Sequence, residues 1–75
     1  MDQETLNLSI RKFLKTVGIR SQHEIEQAVG KAIASGAISG VETFAATMTL
    51  QVPALSLEVK FDGQIQLRGG APDGA

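Results

Sequence analysis

Cysteine, tryptophan and tyrosine are absent from this 75-residue chain, and three phenylalanines are its only aromatic residues. Without cysteine there is no disulfide framework, no thiolate metal site and no cysteine nucleophile. No apolar run approaches the ~20 residues that a membrane span needs. The acidic N-terminus (Asp2, Glu4) with no apolar stretch behind it does not fit a secretory signal. Neither sign of charge dominates: 7 Lys and Arg stand against 8 Asp and Glu, a net charge of −1. A general nucleic-acid binder usually shows a basic footprint, and this composition lacks one. These absences lead to the expectation of a soluble, cytoplasmic protein. Its one small domain would span residues 1–68, with a thin margin of stability. The last seven residues, GGAPDGA, offer no apolar anchor, and residues 69–75 read as a disordered tail.

What is present changes character once, between Gly36 and Gly40. Before it, apolar residues recur at helical spacing. Leu6, Ile10, Phe13, Leu14 and Val17 share one stripe of a 3.6-period helix, and Gly18 reads as its stop. A second helix then reads as opening at Ser21, where Ser-Gln-His-Glu fits a capping box. Ile25, Ala28, Val29, Ala32 and Ile33 form its apolar face, and Gly36 supplies a left-handed end.

After Gly40 the period becomes two. Phe44, Ala46, Met48, Leu50 and Val52 alternate with Thr43, Ala45, Thr47, Thr49 and Gln51. Pro53-Ala54 reads as a turn, setting Val52 against Leu55 and Leu50 against Leu57. Asp62-Gly63 reads as a second turn. Matching the apolar faces across it demands a three-residue loop, Phe61 to Gly63, with Gly63 left-handed, Val59 opposite Ile65 and Leu57 opposite Leu67. The expected fold is therefore α+β, in the order ααβββ. Two N-terminal helices would cover one face of a three-stranded antiparallel meander.

The run LNLSIRKFLKTVGIRSQHEIEQAV, Leu6 to Val29, followed by Met48-Thr49-Leu50, resembles a family of short bacterial proteins known as a domain of unknown function. The resemblance implies a bacterial source and the helix–helix–strand architecture. It brings no activity and no catalytic residue.

Chemistry-bearing patterns are sparse. His23 has Glu26 one turn on, but a third metal ligand is missing; as a general base it would need a nucleophile, and Asp2, Asp62 and Asp73, at a terminus, a turn and the tail, supply no triad partner. Gly30-Lys31 resembles the end of a phosphate-binding loop, yet Ile25 and Ala32 occupy positions that such a loop fills with Gly and Ser or Thr. No enzyme, metal site or cofactor is expected. The leading expectation is a non-enzymatic protein-interaction module that self-associates. Leu8, surrounded by Arg11, Lys12 and Lys15, is a candidate docking patch for an acidic partner. The uncharged, proline-free first strand, through Thr43, Ala45, Thr47, Thr49 and Gln51, is a candidate edge for a homodimer with one continuous six-stranded sheet. The alternative is a nucleic-acid-binding accessory protein, using the basic first helix and a helix-turn-helix-like pair.

Overall fold

The computed structural model describes residues 1–69. The chain divides into two compact units, Met1–Ala37 and Ile38–Ala75. The expected tail, 69–75, lies outside the described residues apart from Gly69.

The first unit is a single α-helix, α1, running Gln3–Ala34 without a break. The two expected helices are therefore one. Gly18 does not stop it: the described glycines with positive φ are Gly36 (80°) and Gly40 (101°). Ser21 is an interior helical residue, so the capping box does not form. The physical reason lies in the apolar pattern. Leu6, Ile10, Leu14, Val17, Ile25, Ala28 and Ala32, with the small polar Ser21 in the one remaining place, follow one another at steps of 4, 4 and 3, an 11-residue repeat that passes through Gly18 without a change of phase. Continuing the helix keeps one stripe intact. The cost is about 1 kcal/mol for a glycine in a helix interior.

The ends of α1 are set by local chemistry. Asp2 is the N-cap: its carboxylate accepts from the Glu4 and Thr5 N–H groups at 3.0 and 3.4 Å, and from the Thr5 hydroxyl at 2.6 Å. The hydrogen bonds from Thr5 hold the Asp2 carboxyl below its ordinary pKa. At the other end Ser35 is the C-cap and Gly36 takes φ 80°. The Gly36 N–H donates to the Ile33 carbonyl at 3.1 Å and the Ala37 N–H to the Ala32 carbonyl at 2.9 Å. That pair of bonds is a Schellman ending, and the expected left-handed stop at Gly36 is found.

The second unit is a two-stranded antiparallel hairpin, β1 (Thr43–Val52) and β2 (Leu57–Gln66). The expected meander has lost a strand, because its second and third strands are one. Asp62-Gly63 is not a turn. Asp62 pairs with Thr47, Gly63 pairs with Ala46, and Gly63 has no positive φ. Phe61 sits in the strand opposite Met48, Val59 opposes Leu50, and Ile65 opposes Phe44. Parity explains this. Leu57, Val59, Phe61, Gly63, Ile65 and Leu67 all fall on odd positions, with Glu58, Lys60, Asp62, Gln64, Gln66 and Arg68 between them. One uninterrupted strand puts every apolar residue on one face and every polar one on the other.

The turn between the strands is also shifted. Pro53–Leu55 form a short 3-10 turn and Ser56 takes the left-handed conformation (φ 51°, ψ 38°). Val52 therefore opposes Leu57 rather than Leu55. The slip is two residues, so the faces survive it. β1 itself has the boundaries the alternation predicts.

Among the described residues none is buried, in either unit. Each unit instead carries an apolar face that is partly covered at best. Val17, Val29 and Ala32 on α1 are half-buried, as are Phe44, Leu50, Val52 and Ile65 in the hairpin.

Candidate functional site

Three surfaces collect the residues singled out by sequence: the basic face of α1, its apolar stripe, and the β1 strand. The basic face is as expected in position. Leu8, Arg11, Lys12 and Lys15 are all exposed on α1, Leu8 at 61%. A continuous helix adds one residue to this patch. A stop at Gly18 would put Ile19 in a turn; in the unbroken helix it lies one 11-residue repeat beyond Leu8 and is 60% exposed. Leu8, Lys12, Lys15 and Ile19 follow one another at steps of 4, 3 and 4, which on a helix is one face. The patch is thus two exposed apolar residues with two lysines between them and Arg11 beside them. The signal that finds Ile19 is the continuity of the helix, not the residue type.

The apolar stripe runs along the opposite side. Leu6, Ile10 and Leu14 are exposed to between 38% and 54%, and Phe13 on its border to 54%. Side chains in its N-terminal half are large, whereas Ser21, Ala28 and Ala32 in the C-terminal half are small.

On β1, the polar-face residues Thr43, Ala45, Thr47, Thr49 and Gln51 stand opposite Gln66, Gln64, Asp62, Lys60 and Glu58. The Thr47 hydroxyl donates to the Asp62 carboxylate at 3.0 Å, and the Gln51 amide donates to Glu58 at 3.3 Å. The Leu67 N–H donates to the Glu42 carbonyl in the same register as the ladder. Bonded and non-bonded pairs alternate along an antiparallel ladder, so these five β1 residues fall on its non-hydrogen-bonded pairs. Their backbone N–H and C=O groups point away from β2. The sheet has two strands, so pairing of another β1 would give a four-stranded sheet, not a six-stranded one.

The base of the hairpin is held by Glu42. Its carboxylate accepts from the Ser39 N–H (2.9 Å), the Ser39 hydroxyl (3.1 Å), the Gly40 N–H (2.9 Å) and the Val41 N–H (3.1 Å). These donors, the Ser39 N–H foremost, pull its pKa down from 4.5 to about 2, against an opposing contribution from partial desolvation. The carboxylate is a structural clasp: its donors all belong to its own loop.

The remaining candidates come to little. His23 and Glu26 share α1, but Glu26 accepts from Gln22 at 3.1 Å. Among the described residues no group of three or more His, Cys, Asp or Glu is placed to hold a metal ion. No helix among them is long and apolar enough to cross a membrane. The helix-turn-helix reading has no geometric basis, because Gly18, Ile19 and Arg20 continue the helix.

No curated protein and no solved structure matches the chain. A family model described as "Family of unknown function (DUF6494)" matches residues 1–68, which agrees with the resemblance carried by the Leu6 to Val29 run. The match extends over the helix, the hairpin and the Glu42 clasp, and so the chain belongs to DUF6494, a family of unknown function.

Proposed function

We propose that this protein is a non-enzymatic protein-interaction module that acts as a self-associated assembly, with the basic face of α1 turned outward to an acidic partner. The observation that carries the reading is the lack of any buried residue among the described ones, in a chain whose apolar residues form continuous faces. A domain draws most of its stability from apolar burial. Neither unit provides that burial by itself, and a second chain is a natural source of it. Leu8 and Ile19, flanking Lys12 and Lys15, support the docking part: apolar anchors beside charges that steer association suit a partner helix bearing carboxylates. The outward N–H and C=O groups of β1 offer a second place for self-association.

The test is sedimentation of the purified chain from low to high micromolar concentration, with the melting midpoint measured alongside. Self-association predicts a mass and a midpoint that both rise with concentration. A monomer of constant midpoint throughout that range overturns it. Titration with duplex DNA at two salt concentrations checks the competing reading. The interaction module predicts no binding, whereas a nucleic-acid protein would bind with an affinity that falls steeply with salt.

A further inference from the structure

We propose that β1 pairs with the β1 of a second copy, antiparallel about a two-fold axis through Thr47, to give one four-stranded sheet with a β2 strand at each edge. The proposal rests on the self-association reading above and names its seam. Three observations carry it.

The first is backbone chemistry. The N–H and C=O groups of Thr43, Ala45, Thr47, Thr49 and Gln51 point away from β2 and have no backbone partner among the described residues. The strand that carries them is 10 residues long and holds no charge and no proline, the usual devices that keep an edge from pairing. Another strand satisfies such a row in full. A two-stranded hairpin is marginal in water, and added strands on the same apolar face bring it into the stable range.

The second is the contrast between the two edges. On β2 the residues whose backbone groups point outward are Glu58, Lys60, Asp62, Gln64 and Gln66. Three successive outward positions are therefore charged, and on β1 none is. Pairing through β1 leaves the charged edges outside and closes the assembly at two copies. Pairing β1 with the partner's β2 would leave an uncharged edge open at one end, and the sheet would grow without limit.

The third is that β1 complements itself, which selects a second copy over a strand of another sequence. The five outward residues are centred on Thr47, so a two-fold axis there pairs all five. Thr47 meets the partner's Thr47, Ala45 the partner's Thr49 and Thr43 the partner's Gln51. Between them Ala46 meets the partner's Met48 and Phe44 the partner's Leu50, so the apolar faces of the two copies join on one side of the sheet. Every charge stays on the outer strands. Asp62, opposite Thr47 in the hairpin, lies three strand spacings, or ~14 Å, from its own copy, beyond the ~8 Å over which salt screens exposed charges.

The native chain has no cysteine, so introduced thiols report without background. Ala45→Cys and Thr49→Cys are prepared separately, mixed, and oxidised mildly. Along one strand the two positions are ~13 Å apart, beyond the ~7 Å that a disulfide spans between Cα atoms; across the seam they stand ~5.5 Å apart. The expected product is the mixed disulfide, with little cross-linking of either variant alone. Self-cross-linked Ala45→Cys, or no cross-link at all, in a chain that sediments as an oligomer overturns this seam and leaves self-association standing. A chain that stays monomeric overturns both. Amide exchange of the unaltered chain guards against damage by either thiol. When the chain is associated, the Ala45, Thr47 and Thr49 N–H groups should exchange at least ~10-fold more slowly than when it is dilute, while those of Lys60, Asp62 and Gln64 stay fast. Equal rates in the two sets overturn the proposal. Thr47→Lys keeps a favourable partner within its own hairpin, since Asp62 stands opposite, but brings two lysines together on the two-fold axis. It should weaken association on the order of 10- to 100-fold, and unchanged association by that variant also overturns the seam.

Discussion

The helix and the hairpin are closed in different ways. α1 ends through groups that lie within a few residues of each terminus: the Asp2 carboxylate at the start and the Gly36 ending at the finish. The hairpin is closed by pairs as far apart as Thr43 and Gln66, and its base depends on Glu42 gathering the loop before it. The helix is a local object and the hairpin a non-local one, with the larger loop-closure entropy that this implies. Yet both leave their apolar faces partly open. An isolated helix draws little stability from propensity alone, and a lone two-stranded hairpin is marginal in water. Backbone hydrogen bonding is enough to define the shape of each unit, while the apolar faces record what each unit is built to meet.

Substitutions can break or sharpen this contrast, and the largest effect is expected at the glycines of α1. Gly36 holds φ 80°, so Gly36→Ala should cost about 1–2 kcal/mol. Gly18 is helical and a Cβ there meets nothing within 4 Å, so Gly18→Ala should gain about 1 kcal/mol. Opposite shifts in the thermal midpoint of the helical signal are the expected result. Shifts of the same sign would mean that α1 does not run through Gly18.

In the hairpin, Gly63 lies mid-strand without positive φ, and the space a Cβ would take is open. Gly63→Val should therefore stabilise it by up to ~1 kcal/mol, seen as slower amide exchange along β2. Destabilisation would restore a turn at Asp62-Gly63. Ser56 is the one non-glycine described with positive φ, at 51°. Ser56→Gly should relieve about 1 kcal/mol at the tip, and Ser56→Val should do the reverse, both read from the midpoint of the hairpin.

The smallest effect is a pH dependence confined to the hairpin base. The folded pKa of Glu42 lies below its ordinary value, so its contribution is fully present above about 4.5 and is lost as pH falls toward about 2. Carboxyl chemical shifts across that range should place the Glu42 titration near the lower value. Glu42→Gln should remove that dependence without changing the ends of α1. Titration at the ordinary carboxylate value would show that the Ser39 and Gly40 donors do not hold the group.

Much of the fold is legible in the sequence. The boundaries of β1, the stop at Gly36, the two faces of the hairpin and the exposed Leu8 patch all follow from period and turn chemistry. Two of the departures, at Gly18 and at Asp62-Gly63, share a cause. In each, a short punctuating signal competes with a longer periodic pattern that crosses it without a phase change, and the pattern prevails. A glycine lowers the preference for helix or strand by about 1 kcal/mol, whereas dropping the pattern would misplace the whole apolar set beyond it. Parity carries the clue in the hairpin, since a turn at Asp62-Gly63 keeps its faces matched only with an added bulge residue. The same competition hides Ile19, which a turn after Gly18 would remove from the face of Leu8. The Glu42 clasp leaves no trace in the periodicity, because it depends on how one loop folds around a carboxylate.

An apolar stripe with an 11-residue repeat also makes the length of the helix a quantised property. Removing or inserting 11 residues shortens or lengthens α1 by ~16 Å and turns the far half by only ~20°. Removing five turns it by ~140°, which carries Ala28 and Ala32 to the side of Leu8 and Lys12. Length variants of this helix should therefore be tolerated in steps of a whole repeat, and a ruler of that kind can set the distance between whatever its two ends carry.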